Sequence, residues 1–193
     1  IRLGKQGCNL KQCMDEGFAG LGFDFPQDLS GKFGSNWRDF NDQFIPVWLS
    51  HNSGKNKRIA GLSCGALWTF GEGLKVGDYI LSPDDAGNFY AGKVTGDYFY
   101  EHSGPLPHRR PIEWIPEPIR KSLFSEEFQR STRSALSNID VDRFADEIAA
   151  LIAGKKPPEI TIADPDVENA TVFALERHLE DFLVSNWQNT HFG

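Results

Sequence analysis

Cysteine is scarce: Cys8, Cys13 and Cys64 are the three in a chain of 193 residues. An odd, sparse set excludes a disulfide-stapled scaffold and suits a reducing compartment, so a cytoplasmic location is expected. Cys8 and Cys13 are five apart, which does not fit a CxxC zinc knuckle, and the five His are scattered. Buried free thiols are expected instead. Long hydrophobic runs are absent as well. Nothing approaches the roughly 18 apolar residues of a membrane-spanning helix, so no membrane partner is expected. The opening Ile1-Arg2-Leu3-Gly4-Lys5 holds no signal-peptide apolar region. Ile1 is not an initiator Met, so the native start is read as trimmed. Enzyme signatures are missing too: no Walker loop, no GxGxxG after a strand, no GxSxG and no HExxH. Gly71-Glu72-Gly73 lacks the Lys and the spacing of a phosphate loop. No complete active site and no cofactor are expected within these residues. Internal repeats and low-complexity tracts are also lacking.

What the chain does have is a core-building composition. Hydrophobic residues make up 39%, and 15 Phe, 5 Trp and 4 Tyr are available for packing. That excludes disorder, collagen and coiled coil. The net charge of −7 counts against nucleic acid at first sight, but its distribution is uneven. Residues 1–115 carry 12 basic against 13 acidic residues; residues 116–193 carry 8 against 14. A nearly neutral N-terminal part can still present a local basic face.

Along the chain, residues 1–5 and 21–25 read as short strands, with a helix from Leu10 to Phe18 between them, ended by Gly20. Ser35 or Asn36 caps a helix bearing Trp37, Phe40 and Phe44, and Pro46 breaks or kinks it. A second helix carries Ile59, Leu62, Ala66 and Phe70 on one face. Gly61 and Gly65 lie on another, where close backbone approach is expected to require them. The period then changes to strands at 78–82, 89–94, 96–100 and 108–115, with Pro111 suggesting an edge or a bulge. The predicted class is α+β, a small curved barrel with flanking helices over residues 1–115. Residues 116–166 read as a helical connector and linker, including an amphipathic helix through Val141, Phe144, Ile148 and Leu151 that Gly154 ends. From about Glu168, an apolar stripe through Leu175, Leu179 and Phe182 reads as one helix of a domain cut short at 193.

Two stretches carry a family resemblance. Leu74-Lys75-Val76-Gly77-Asp78-Tyr79-Ile80-Leu81, with Gly87 to Tyr100, resembles the core of the PUA-like superfamily, especially its EVE-type members. Those are small β-barrels that read modified bases in nucleic acid. A wider set is similar to a family of prokaryotic restriction-type endonucleases. It comprises Arg2-Leu3-Gly4-Lys5, Gly61 to Thr69, Gly77-Asp78 and Pro107-His108-Arg109-Arg110-Pro111-Ile112-Glu113-Trp114. In that family the region precedes a NucS-like nuclease domain of the PD-(D/E)xK class. Residues 167–193 resemble that domain's first helix, with Glu176 and Glu180 one turn apart, read as a surface charge pair. The resemblance implies that the metal-holding residues lie downstream, with a divalent metal such as Mg²⁺ serving that domain.

A reader of a modified base inside a duplex works in the groove or flips the base into a pocket. Flipping costs a few kcal/mol, and stacking on aromatic rings returns about 1–3 kcal/mol per base. Aromatic walls, a polar group for the base edge and basic residues for phosphates are therefore needed. Trp68, Trp114 and Trp37 are candidate walls; Trp68 and Trp114 are also readable as core, and Trp37 sits at a helix start beside polar neighbours. Tyr98 is a candidate donor, since a buried phenol needs a partner. Asp24 and Ser63 are candidate base-edge contacts. On an alternating strand Asp24 points away from Phe23 and Phe25. Arg109 and Arg110 are candidate phosphate contacts, of which alternation sends one to a given surface. Lys55, Lys57 and Arg58 precede a helix N-terminus and form a second basic cluster.

The reading is a DNA-binding specificity module for a modified base, with modified cytosine implied by the superfamily. It would direct cleavage by a downstream nuclease domain in a modification-dependent restriction enzyme acting on foreign DNA. Double-stranded DNA is the expected partner, and a homodimer would suit double-strand cutting. The alternatives are an RNA-binding PUA-like module, a protein-interaction or dimerisation domain with its aromatics in the core, and a small-molecule sensor.

Overall fold

The computed structural model describes residues 1–133 and 136–154. Residues 1–5 form no strand; Lys5–Gly7 is a single 3-10 turn. Helix α1 (Leu10–Asp15) buries Leu10 and Cys13 and is shorter than expected, because Gly17 at φ +69° already turns the chain. The strand β1 (Phe18–Leu21) follows, buried at all four positions. The strand expected at 21–25 has therefore moved upstream. Phe23 and Asp24 both sit in the left-handed region, at φ +54° and +49°, which breaks the alternation that oriented Asp24.

Helices α2 (Trp37–His51) and α3 (Lys57–Trp68) start at asparagine caps. The Asn36 side chain accepts from Arg38 N at 2.9 Å, and that of Asn56 from Ile59 N at 3.0 Å. Helix α2 buries Phe40, Phe44, Ile45 and Trp48. Pro46 does not break it. The proline is exposed, and so is Asp42, whose carbonyl loses its helical donor. Helix α3 buries Ala60, Ser63, Cys64 and Leu67, leaving Ile59 40% and Leu62 51% exposed. The expected face is therefore divided: Ile59 and Leu62 look outward, while Phe70, just beyond the helix, enters the core. One π-helical turn, Thr69–Gly73, ends the helix where the glycines stood.

The strands β2 (Tyr79–Pro83), β3 (Asn88–Val94), β4 (Phe99–Tyr100), β5 (His108–Trp114) and β6 (Ile119–Arg120) complete a six-stranded sheet. All its pairings are antiparallel, in the order β1-β5-β3-β2, with β4 also on β5 and β6 on β3. Pro111 is not at an edge. It lies opposite Phe18 of β1, and on its other side β5 passes from β4 at Arg109 to β3 at Ile112. A residue without an N–H suits that change of partner. Gly92 pairs with Trp114, and a Cβ there would lie 2.4 Å from Ile112 Cγ2 and 2.8 Å from the indole. Glycine makes room for the ring.

Alternation gives the sheet two greasy faces. Ile80 and Val94 join the core under α1, α2 and α3, whereas Leu81, Phe89 and Ala91 face the opposite way. That second face is covered by Ile119, Phe124, and the helices α4 (Glu126–Ser131) and α5 (Ala145–Ile152), through Phe128, Ile148 and Leu151, with Phe144 from the 3-10 turn before α5. Ser125 holds α4 to α5 by donating its hydroxyl to Glu147 at 2.9 Å. The protein is α+β, and the compact unit Ile1–Lys155 takes in the boundary expected at 115. The amphipathic helix expected before Gly154 is α5. The rest of the expected linker, and the nuclease-like helix with Glu176 and Glu180, lie outside the described residues. Among the described residues no helix is long and apolar enough to cross a membrane.

Candidate functional site

A groove of about 770 Å³ runs between α2, α3, β2 and the segment 136–142. Three of the candidate residues line it: Trp37, Ser63 and Trp68. Trp37 opens α2 one residue after its cap and is 44% exposed. The Trp68 ring is half-buried at the end of α3, and its indole N–H donates to Phe33 O at 3.0 Å, which fixes its plane. Tyr79, at the start of β2 and 50% exposed, adds another exposed ring. Exposed Ile59 and Leu62 form the α3 wall. Asn41 stands one turn after Trp37 on α2 and also lines the groove.

The other candidates are elsewhere. Trp114 faces the α1–β1 corner, where its N–H is shared between Cys13 O at 3.0 Å and Phe18 O at 3.2 Å. It is not among the groove residues, so the two tryptophans do not share a cavity. The Tyr98 hydroxyl donates to His108 Nδ1 at 2.8 Å and accepts from Leu29 N at 3.3 Å. Burial pushes this phenol well above its ordinary range, so it stays protonated. His108 Nε2 then donates to Phe25 O at 2.9 Å, and burial lowers the imidazole to about 4. Asp24 is exposed, and its backbone carbonyl accepts from Asn52.

Both arginines expected at phosphates are turned inward. Arg109 Nε donates to Leu106 O at 2.9 Å, and its guanidinium lies 3.9 Å over the Phe18 ring. Arg110 Nε donates to Gly96 O, and its Nη1 to Phe70 O, Gly71 O and Leu74 O, at 2.7–3.4 Å. These side chains hold loops to β5 and are buried, so neither is free for an external phosphate. Lys55, Lys57 and Arg58 are all exposed at the start of α3, directly before the groove-lining Ile59.

One comparison bears on what this arrangement is. A family described as a domain of unknown function, DUF8426, matches residues 2–139. The chain belongs to that family. Nothing among the curated proteins or the solved structures matches it. The DUF8426 match includes every candidate residue, from Asp24 to Trp114, and all of the groove except Ile1 and 140–142.

On the groove lining of this DUF8426 member Asp78, Asp140 and Asp142 stand with Arg2, while the exposed cations Lys55, Lys57 and Arg58 lie at the start of α3. Thiolate chemistry is disfavoured at the two buried cysteines. Burial pushes Cys13 and Cys64 up to about 12, which keeps them as thiols. Cys8, expected to be buried, is exposed. Among the described residues no group of three or more His, Cys, Asp or Glu is placed to hold a metal ion. Sequence reasoning missed Tyr79 and Asn41. Tyr79 lay in a stretch read simply as strand, and Asn41 in a helix judged by its apolar stripe. The signal for Asn41 was its position, four residues after Trp37 and so on the same helical face.

Proposed function

We propose that this chain is a DNA-reading module that takes a modified base, flipped from the duplex, into the groove beside Trp37, Trp68 and Tyr79. The observation that carries this reading is the pair of half-exposed rings, Trp37 and Tyr79, on the lining of one groove together with Trp68. Stacking worth about 1–3 kcal/mol per base offsets the few kcal/mol lost in flipping. Ser63 is retained as a base-edge contact. Lys55, Lys57 and Arg58 receive the phosphates, while Asp78, Asp140 and Asp142 repel them. The DNA backbone therefore follows the α2–α3 side. The barrel is read as PUA-like and EVE-type, by resemblance, with modified cytosine as the base. In the same reading the module directs cleavage by a NucS-like nuclease domain in a modification-dependent restriction enzyme, and a homodimer would suit double-strand cutting. A divalent metal such as Mg²⁺ would serve that nuclease domain.

A second reading has its own support. The three aspartates beside exposed Ile59 and Leu62 suit a basic, amphipathic protein segment. One titration separates the two. Matched duplexes are used, unmodified or with one 5-methylcytosine, 5-hydroxymethylcytosine, N4-methylcytosine or N6-methyladenine, each at two salt concentrations. The expected result is tight binding to one modified duplex, weakened at least tenfold in Trp37→Ala, with affinity falling as salt rises. Failure to bind any duplex would reject the DNA reading and favour the protein segment.

A further inference from the structure

The glycines of α3 do not serve close packing. A Cβ at Gly61 would meet Ile45 Cδ1 at 3.7 Å, and one at Gly65 would meet Asn41 Nδ2 at 3.9 Å. Both are ordinary contacts, so alanine fits at either position. Each glycine nonetheless costs the helix about 1 kcal/mol relative to alanine. Both line the groove, one turn apart. What a side chain at Gly65 would stand over is the Asn41 amide.

That amide is under-committed. Asn41 is 9% exposed, yet its Oδ1 has no hydrogen-bond partner among the described residues. Its Nδ2 reaches Gly61 O only at 3.4 Å, near the limit of a hydrogen bond. The contact fixes which end is which, because the reverse placement would set two oxygens against each other. The unpaired end is therefore an acceptor. A buried acceptor left unmade is costly, and a ligand N–H would relieve it. Asn41 is on the groove lining, and its amide torsion is broad.

We propose that Asn41 is the specificity-determining contact of the groove, accepting from the exocyclic amino group of a ring such as cytosine or adenine, and that Gly65 keeps the wall open above it. The proposal rests on the base-reading function and deepens it by naming the ring edge. Methylation of a ring carbon, or single methylation of the amino nitrogen, leaves an N–H for Asn41 to accept.

The test uses short single-stranded oligonucleotides, which remove the cost of flipping. One pair carries 5-methylcytosine or thymine, the other adenine or hypoxanthine; each pair differs in the amino or keto group and in the ring nitrogen beside it, which changes from acceptor to donor. An abasic strand is the reference. The wild type should favour the amino member of one pair at least tenfold, and Asn41→Leu should bring its two members level. Gly65→Ala should raise Tm and weaken the favoured strand at least tenfold, with the same salt dependence as wild type. Equal binding within both pairs, above the abasic strand, would overturn the Asn41 assignment while leaving a base-reading groove. Undiminished binding by Gly65→Ala would overturn the opening ascribed to that glycine. No binding above the abasic strand would overturn the base reading and this proposal with it.

Discussion

His108 shows how much a single buried side chain can determine. Its two nitrogens tie Tyr98 to the Phe25 carbonyl, and Tyr98 in turn receives Leu29 N. The ring is neutral in the fold, with its value lowered from 6.5 to about 4 by burial. Above pH 6.5 neither state is charged and the full stability is present. As pH falls from 6.5 to about 4, the unfolded chain takes up a proton that the folded chain refuses, so stability drops. The difference amounts to about 3 kcal/mol. Urea titrations across this window should show His108→Gln declining less steeply than wild type, although it is less stable at neutral pH. Parallel declines would mean that another group carries the acid sensitivity. Residues of this kind were only partly legible. The sequence marked Tyr98 as a phenol in need of a partner, which it has, but the partner is ten residues away at the start of β5. Arg109 and Arg110 read as surface cations because nothing local reveals the carbonyls of Gly96, Phe70 and Leu74 converging on one guanidinium.

At the scale of elements, what was legible followed period and caps. Asn36, one of the two expected caps, starts α2, the strands β2 (Tyr79–Pro83) and β3 (Asn88–Val94) form close to where they are expected, and α5 ends before Gly154. The segment from Gly22 to Gly34 was not legible, because its path is set by side chains from elsewhere. Trp48 holds Phe23 O at 2.8 Å, Asn52 holds Asp24 O at 3.1 Å and Trp68 holds Phe33 O at 3.0 Å. Pro46 gives the clearest element-level prediction. It is exposed inside α2, so Pro46→Ala restores a helical hydrogen bond without disturbing the core. Stability should rise by about 1–3 kcal/mol, less a fraction for the freer unfolded chain. Chemical denaturation reads this directly, and a destabilised variant would show that the proline is needed to shape the helix. Arg110 gives the opposite case, since it joins β5 to the π-helical turn after α3. Arg110→Lys keeps the charge, but one ammonium cannot span the Gly96 carbonyl and those of the turn. A loss of about 2–4 kcal/mol is expected in the same assay, and a loss below 1 kcal/mol would show the fork to be dispensable.

At the scale of the molecule, the groove is made by parts far apart in sequence: Trp37 on α2, Leu62 and Trp68 on α3, Tyr79 on β2 and Val141 beyond α4. No local pattern announces it. Its charges also come together only in assembly, with Lys55, Lys57 and Arg58 at the start of α3 and Asp78, Asp140, Asp142 and Arg2 on the lining. Reversing all three cations to Glu should reduce affinity for every duplex alike and flatten the salt dependence by about three phosphate contacts, leaving base preference in place. A change in preference with unchanged salt dependence would assign the cluster another role. The central claim is that a base leaves the stack and enters this groove. The most direct measurement places 2-aminopurine beside the preferred modified base in a duplex and follows its fluorescence as protein is added. Emission should rise in step with binding, as the neighbour loses its stacking partner, and the rise should vanish in Trp37→Ala. Saturated binding with flat emission would contradict the account, because the base would still be in the helix.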